Sequence, residues 1–389
     1  MERFNLANTE LRVKLLDYSD AAAIEAGFAS GIDMLGRQLI RGEGPDVVLL
    51  RTAMDTGGLL NKDIFADLYP YIDADPELSR DDLIANVLAA CELDGELSLF
   101  APAFGIVTAV GSRQKLGDGM GWTVEGFAAA TAGMTTPYYG RSRSILLWNQ
   151  LQINGDRFID YTAMEARLED PAFIRLLEDS SRYPADVDFS DNIKQMMDNG
   201  ETLLYIVSMD NPNMIPVLEY YFDGPFVYKG FPTEDGSVGS MFSAQYQVGI
   251  RDNSPNRDAA WAFVRTLLLP EFQDSLTEIT PYQLPLRRDS MQKMLEKEKD
   301  GRIFISIPQG VAVPLTKEQS DYFRRGITQE EIDAFLALIG ATDTLLRSDY
   351  SAYSIVTEEA QAYYDGMRTA AEATAIMQNR VQTYLDEQG

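Results

Sequence analysis

The sequence predicts an α/β protein of two lobes with a helical C-terminal tail. A chain of 389 residues exceeds what one ordinary hydrophobic core organises, since a domain usually holds about 100 to 200 residues. Short apolar runs that are typical of buried strands alternate with amphipathic helical segments up to Pro270. From Lys317 onward the patterns are helical only. Alternation of this kind favours α/β layers over an all-helical or all-strand fold.

In the first half, residues 45–50 form a continuously apolar run, which predicts a strand buried on both faces of a parallel sheet. Thr123 precedes a helical segment with Glu125 in its first turn and is suited to cap it. The other predicted elements are a helix at the N-terminus, a strand over residues 11–18, a helix over 21–41 closed by Gly42, a helix over 81–92, and two strands within 97–110 bent at Pro102.

The second half continues in the same style. Residues 202–208 predict a buried strand, and Pro270 ends a helix over residues 257–269. The remaining predicted elements are a helix over 192–199, strands over 227–231 and 244–250, a helix from 271, and tail helices over 317–323, 329–338 and 357–385.

Composition excludes several classes of function. The net charge is −27, from 60 acidic and 33 basic residues, and so acidic a surface repels the phosphate backbone of nucleic acids. The chain has no histidine and one cysteine, Cys91. This removes His-dependent nucleophile systems, His-ligated zinc and thiolate metal clusters. We expect no cofactor and no resident metal, and the enzyme chemistry that survives is mainly carboxylate-based.

Six groups of stretches carry a family resemblance, in chain order. They are Phe4-Asn5 with residues 44–48; residues 65–72; Asp94-Gly95 with 100–104; residues 121–123 with Phe127; residues 228–232 with Asp235-Gly236 and Gly249-Ile250; and residues 254–263 with 267–273. Together they resemble the family 1 extracellular solute-binding proteins of ATP-driven (ABC) sugar importers, the group that includes maltose-binding protein. The tail over residues 358–387 is similar to the long closing helix of that family.

The resemblance implies a type II periplasmic-binding-protein fold with discontinuous lobes. We place lobe one at residues 1–103 plus 248–304, and lobe two at residues 104–247 plus 305–389. It further implies a carbohydrate ligand in the cleft between the lobes, hinged closure, a membrane permease as partner, and a monomer that is periplasmic or a cell-surface lipoprotein. In the family a strand precedes the first helix, and this sequence has none there. We expect upstream sequence, another segment or another chain to supply it.

Sugar binding calls for aromatic faces and planar carboxylate or amide groups in loops after buried strands. Asp55 follows the strand at 45–50 as a candidate hydroxyl acceptor, with a solvated turn as the alternative. Arg51 is a second candidate that can instead neutralise Asp55. Asp210 follows the strand at 202–208 and is a further candidate acceptor.

Four aromatic residues complete the predicted ligand contacts. Phe242 and Tyr246 approach the crossover between lobes, with packing beneath the hinge as the alternative. Tyr139 lies in a loop bounded by proline and glycine, where it can form a stacking platform. Trp148 lies in a predicted helix that lines either the cleft or the core.

Three other functions stay open at this point. Sixty acidic residues leave room for a carboxylate-based glycoside hydrolase, although no pair stands out. A sensor module without transport, or a module that binds a polyamine or another small solute, fits the same two-lobed fold and the acidic composition.

Overall fold

A computed structural model of the protein describes residues 1–25, 30–51, 64–134, 136–154, 157–161, 163–187, 193–279, 283–301, 316–346 and 349–388. The strands are β1 (Val47–Arg51), β2 (Ala103–Ser112), β3 (Tyr138–Tyr139), β4 (Ile159–Asp160), β5 (Glu165–Ala166), β6 (Leu204–Ser208), β7 (Phe226–Tyr228), β8 (Met241–Ser243), β9 (Tyr246–Ile250), β10 (Leu284–Pro285) and β11 (Thr344–Leu345).

The helices are distributed over the whole chain. Those before Pro212 are α1 (Glu2–Ala7), α2 (Asp20–Glu25), α3 (Gly31–Ile40), α4 (Tyr69–Ala74), α5 (Ala85–Cys91), α6 (Arg113–Leu116), α7 (Val124–Ala130), α8 (Arg143–Ile153), α9 (Pro171–Ser180) and α10 (Ile193–Asp198). Those after it are α11 (Ile215–Phe222), α12 (Arg257–Val264), α13 (Pro270–Ile279), α14 (Arg288–Glu298), α15 (Lys317–Phe323), α16 (Gln329–Ala341), α17 (Tyr350–Tyr364) and α18 (Ala370–Gln388). Within the described ranges, no helix combines the length and apolar character that a membrane crossing requires.

The strand predicted at residues 45–50 is confirmed as β1, but its predicted parallel setting is wrong. β1 pairs with β9 in antiparallel register, from Val47 opposite Ile250 to Arg51 opposite Tyr246. Val48 and Leu50 point inward, whereas the Leu49 side chain is 59% exposed. One face of β1 is therefore solvated, as is usual in antiparallel sheets.

The strand predicted at residues 11–18 is wrong, because residues 11–19 have no regular secondary structure. The Asn5 side chain on α1 donates to the carbonyl oxygen of Val13 (2.9 Å) and accepts from its backbone N–H (2.7 Å). These bonds satisfy the Val13 backbone in the way that a neighbouring strand would. An alternating pattern predicts a strand only where a partner strand is available.

A larger sheet is built around β2, which is buried at nearly every position. β6 pairs antiparallel with one side of β2, while β7, β8 and β10 pair antiparallel with other parts of its length. β3 runs parallel to β6, and β11 runs parallel to β8. Continuous burial of β2 agrees with a central strand that is covered on both faces.

Apolar clusters cover both faces of this sheet and the C-terminal tail. One cluster joins residues of both predicted lobes, among them Leu83, Val87 and Phe335. A second packs α17 and α18 against α8 and α9. The tail, predicted as one helix over residues 357–385, is two helices. Gly366 lies between them at φ +70°, a left-handed conformation that ends helices and favours glycine.

Candidate functional site

The directions of the strands gather several loop residues at one edge of the larger sheet. β3, β6, β8 and β11 run in one direction and β2 runs in the other. The carboxyl ends of β6, β8 and β11 therefore lie beside the amino half of β2, whereas the shorter β3 ends beside Tyr205, before this edge is reached. The chain enters β2 there after Pro102 and leaves β8 there through Ala244 and Gln245 into β9. Ligands of open α/β sheets bind at such carboxyl edges.

Asp210, a predicted ligand contact, lies at this edge directly after β6. Its loop is fixed to β2 by paired backbone hydrogen bonds between Met209 and Ile106, 2.7 and 3.3 Å long. The Ser208 hydroxyl donates to Asp210 Oδ1 over 2.9 Å. The carboxylate lies above Gly105, since a Cβ built on Gly105 would be 1.9 Å from Asp210 Oδ1. The same Cβ would be 3.0 Å from the hydroxyl oxygen of Ser243.

The Asp210 carboxylate has little local compensation for its charge. Burial raises the pKa of Asp210, and the hydrogen bond from Ser208 lowers it by less. No lysine or arginine in the described ranges forms an ion pair with it. Ser208 is exposed and Asp210 is half-buried, so solvent reaches this point. The arrangement leaves carboxylate lone pairs for a donor that comes from outside the chain.

Arg51 and Tyr246, two further predicted contacts, are brought together by strand pairing. They face each other as the last residue of β1 and the first residue of β9. The Tyr246 side chain is 38% exposed, and Arg51 is exposed as well. Their side chains therefore start from the same face of the β1–β9 pair, where the chain leaves the larger sheet.

Arg141 adds a desolvated cation to the carboxyl edge and was not anticipated from the sequence. It follows β3 by two residues, and its Nη2 donates to the carbonyl oxygen of Ile206 over 3.1 Å. Its Nε is buried and has no hydrogen-bond partner in the described part of the chain. Burial lowers the pKa of Arg141, and the nearby Tyr205 partly opposes this effect.

A groove of about 400 Å³ lies close to this edge and contains Trp148. Its walls come from the end of α5, which belongs to predicted lobe one, and from α8, β4 and β11, which belong to predicted lobe two. The lining residues are Ala89, Ala90, Glu92, Trp148, Leu151, Gln152, Ile153, Asn154, Ile159, Tyr161, Asp343, Thr344 and Leu345. β11 links the groove to the sheet edge, because Leu345 lines the groove and pairs with Phe242, the residue before Ser243. The volume is in the range of small-molecule sites.

The groove combines aromatic and acidic surface without basic side chains. Trp148 is half-buried on α8, and its ring packs edge-on against Tyr353 of α17 at 5.1 Å between centroids. Tyr161 lines another part of the wall. Glu92 accepts a short hydrogen bond from the Tyr69 hydroxyl, and Asp343 accepts one of 3.0 Å from Thr344. No lysine or arginine is among the described residues that line it.

A wider hollow of about 520 Å³ lies on lobe one between α4 and α12. Trp261 and Tyr71 form its apolar part, with ring centroids 5.6 Å apart. Two of its three charged lining residues are paired with each other, because Arg265 donates twice to Asp75, over 2.5 and 2.8 Å. The described lining residues all belong to predicted lobe one, which argues against this hollow as a cleft between the predicted lobes.

Three other predicted contacts lie in different settings. Phe242 is 0% exposed and packs edge-on against Phe104, with centroids 5.4 Å apart. This is the packing alternative that the sequence left open. Tyr139 is 4% exposed beside Tyr205, so its ring is enclosed by protein. Asp55 lies outside the described residues. We therefore carry Trp148, Asp210, Arg51 and Tyr246 forward.

Gly105 was not singled out from the sequence, although the sequence contains one usable signal for it. A glycine inside an apolar strand often marks a close approach by another group, and Gly105 lies within the run predicted as strand. Which group approaches depends on the register of β2 with β6, which sets Val107 opposite Ser208. That register is not readable from the sequence. No grouping of carboxylate or thiol ligands that could hold a metal ion occurs in the described ranges.

Comparison with known proteins identifies the fold. No protein-family model and no curated protein matches the sequence. Among solved structures, the sugar-binding protein MalE from Xanthomonas citri is 16% identical with a TM-score of 0.57, and 99% of this chain and 93% of that chain are covered. The cyclic α-maltosyl-1,6-maltose binding protein from Arthrobacter globiformis is 13% identical with a TM-score of 0.56, covering 99% and 94%.

A third similar structure is a family 1 extracellular solute-binding protein from Alicyclobacillus acidocaldarius, 12% identical with a TM-score of 0.54 and covering 92% and 88%. At these identities the similarity establishes the fold. The chain therefore has the two-lobed α/β fold of the solute-binding proteins of ABC importers, and the predicted fold class is confirmed.

Proposed function

We propose that this chain is a solute-binding protein that captures a mono- or oligosaccharide for an ATP-driven importer by hinged closure of two lobes. One observation carries the proposal. A fold that matches sugar-binding proteins over nearly the whole chain contains a groove with a tryptophan between segments of both lobes. The names of the similar proteins record maltose-type saccharides and, in a structure from Thermotoga lettingae, bound α-D-tagatose.

The groove offers the two kinds of contact that a sugar ring needs. The exposed part of Trp148 presents an aromatic face to the apolar side of the ring. Carboxylates of Glu92 and Asp343 and amides of Gln152 and Asn154 supply acceptors and donors for hydroxyl groups. Because basic groups do not line the groove, the proposal favours uncharged sugars over sugar acids.

Closure follows from the placement of these groups on different lobes. Glu92 follows α5 of lobe one, whereas Trp148 and Asp343 belong to lobe two. A ligand that contacts all three gains its full binding free energy only when the lobes approach each other. The two chain crossings near Gly105 and Ala244 are the places where the backbone can bend. In this proposal the closed form is what the permease recognises, and the protein itself catalyses nothing.

The proposal is tested by titration with glucose, maltose, maltotriose and D-tagatose, with amino acids and polyamines as controls. Calorimetry is expected to show saturable binding of at least one sugar. Binding of polyamines alone would overturn the carbohydrate assignment. Release of reducing ends from an oligosaccharide during long incubation would favour the hydrolase instead.

Trp148 gives this test a residue-level readout. The chain has three tryptophans, so ligand-induced fluorescence changes are attributable by substitution. Trp148→Phe is expected to remove most of the sugar-induced change, and Trp148→Ala to weaken affinity. Trp122→Phe is the matched control, because Trp122 packs against Phe127 and donates to Gly230 O at 3.1 Å within lobe two. An equal response from both phenylalanine variants would contradict the assignment of the groove.

The same proposal covers location and assembly. We place the protein in the periplasm or, as a lipoprotein, on the outer cell surface, acting as a monomer beside a membrane permease. Light scattering of the purified chain with and without sugar checks the monomer. A stable dimer in both conditions would contradict it.

A further inference from the structure

We infer that Gly105 and Ser208 are positioning residues for Asp210, which they hold at the junction of the two chain crossings as an acceptor for a vicinal pair of ligand hydroxyls. The inference rests on the proposed function and specifies one contact within it. It concerns the sheet edge rather than the wall of the groove that Trp148 forms.

The absence of a side chain at Gly105 leaves the space that the Asp210 carboxylate occupies. Gly105 is an ordinary extended residue of β2, so its backbone conformation does not require glycine. What it provides is room, because any side chain would collide with Asp210 Oδ1 at 1.9 Å. Paired backbone bonds between Met209 and Ile106 prevent the Asp210 loop from simply lifting away.

The groups around Asp210 favour a ligand that donates hydrogen bonds. Ser208 occupies one position on Oδ1, and no cation in the described ranges is paired with the carboxylate. The groups that face it are Gly105 from β2, Ser208 from β6 and Ser243 from β8, none of which titrates near neutral pH. Two adjacent hydroxyls of a sugar match the two oxygens of one carboxylate.

The location also connects this contact with closure. Gly105 lies at the start of the first crossing strand, and Ser243 is the last residue of β8 before the second crossing. Asp210 thus contacts the backbone at the point where both connections bend. Tyr246 follows Ser243 by three residues and pairs with Arg51 of β1, so the second crossing leads from the surroundings of Asp210 to these two side chains.

The test is a double-mutant cycle in ligand affinity. Asp210→Asn and Gly105→Ala are each expected to weaken binding of the sugar found in the four-sugar panel by roughly 10- to 100-fold, the range for a hydrogen bond to a charged group. The double variant is expected to bind no more weakly than Asp210→Asn alone, because the substituted glycine acts only through the carboxylate. Gly119→Ala is the control, since its Cβ would meet nothing within 4 Å.

The pH dependence of affinity separates positioning from a general loss of structure. Binding requires the ionised carboxylate, so affinity is expected to fall as the pH decreases through the raised pKa of Asp210. Ser208→Ala removes the hydrogen bond that lowers this pKa, so its affinity is expected to begin falling at a higher pH. Asp210→Asn should abolish this component of the pH profile. Ser208→Ala and Asp210→Asn also decide the matter if Gly105→Ala does not fold.

The possible outcomes distinguish a failure of this inference from a failure of the proposed function on which it rests. If the unaltered protein binds no sugar of the panel, the proposed function fails and the inference fails with it. If it binds a sugar and the Gly105, Ser208 and Asp210 variants bind equally well with unchanged pH profiles, only the inference is overturned. Additive losses in the double variant would also overturn the positioning role of Gly105.

Discussion

Asn86 offers a quantitative test of how the two lobes are held together. It lies on α5 of lobe one, and its Nδ2 donates to the carbonyl oxygens of Ile339 and Thr342, the latter over 2.7 Å. Both acceptors are at the C-terminal end of α16, where carbonyls lack the regular helical partner, although Ile339 O also accepts from the Thr342 N–H over 3.3 Å. Asn86→Ala removes both bonds. At a net value of about 0.5 to 1.5 kcal/mol each, the loss is about 1 to 3 kcal/mol.

Two measurements show whether the Asn86 hydrogen bonds stabilise only the form in which the lobes pack together or the open form as well. If the bonds form only when the lobes pack as in this structure, Asn86→Ala weakens sugar affinity by about 5- to 150-fold, since 1.4 kcal/mol corresponds to a factor of ten. If they persist in the open form, affinity is unchanged and the free energy of unfolding in urea falls by the same 1 to 3 kcal/mol. Asn379→Ala, on the exposed face of α18, is the control. Unchanged affinity together with unchanged stability would refute the reasoning.

Three further substitutions probe stability by urea unfolding. Arg265→Met leaves the Asp75 side chain, which is 2% exposed, without its bidentate partner. The substitution should lower the free energy of unfolding by about 3 to 5 kcal/mol. Because Arg265 holds the pKa of Asp75 below its usual value, the stabilisation in the unaltered protein is lost as the pH falls through that lowered pKa. The variant should show a smaller acid-dependent component, since the Glu77 backbone N–H and the Trp261 ring N–H still donate to Asp75. Gly111→Ala should lower the free energy of unfolding by about 1 to 3 kcal/mol, since its Cβ would be 2.5 Å from a Leu116 methyl. Gly340→Ala in α16 should instead raise it by about 0.5 to 1 kcal/mol, because the added methyl meets open space and alanine favours the helix. A destabilised Gly340 variant, or an unaffected Gly111 variant, would show that the packing is misjudged.

Local patterns predicted the fold wherever burial alone decides the structure. The apolar runs at residues 45–50 and 202–208 are strands β1 and β6, and the helix before Pro270 is α12 with a short 3₁₀ turn after it. Errors occurred where the outcome depends on a distant partner. Residues 11–18 alternate correctly for a strand, but no strand lies beside them in the described ranges. The Gly366 break in the tail was overlooked because the helical periodicity continues across it.

Candidate site residues could be predicted by position but not by orientation. The position of Asp210 could be predicted because loops after buried strands collect at the carboxyl edge of a sheet, and its loop lies at that edge. Tyr139 and Phe242 satisfied the same rule of position, yet both rings point into the core. Strands of two or three residues, such as β3 and β8, give too little alternation to show which face is inward. Gly105 was missed because its neighbour is set by strand register.

The behaviour of α16 on closure follows from comparing its attachments to the two lobes. Toward α11 of lobe two, Arg325 is inserted between Glu219 and Glu331, and all three side chains are at most 25% exposed. Tyr322 adds a hydrogen bond of 3.0 Å to Glu219. Toward lobe one, the polar attachments that the structure describes are the Asn86 side chain and, just before the helix, the Ile327 N–H, which donates to the Glu298 carbonyl oxygen over 3.2 Å. Breaking a partly buried ion-pair network leaves unpaired charge and costs more free energy than releasing these hydrogen bonds to water. We therefore expect α16 to move with lobe two, so that the contacts with Asn86 and Glu298 break when the lobes separate.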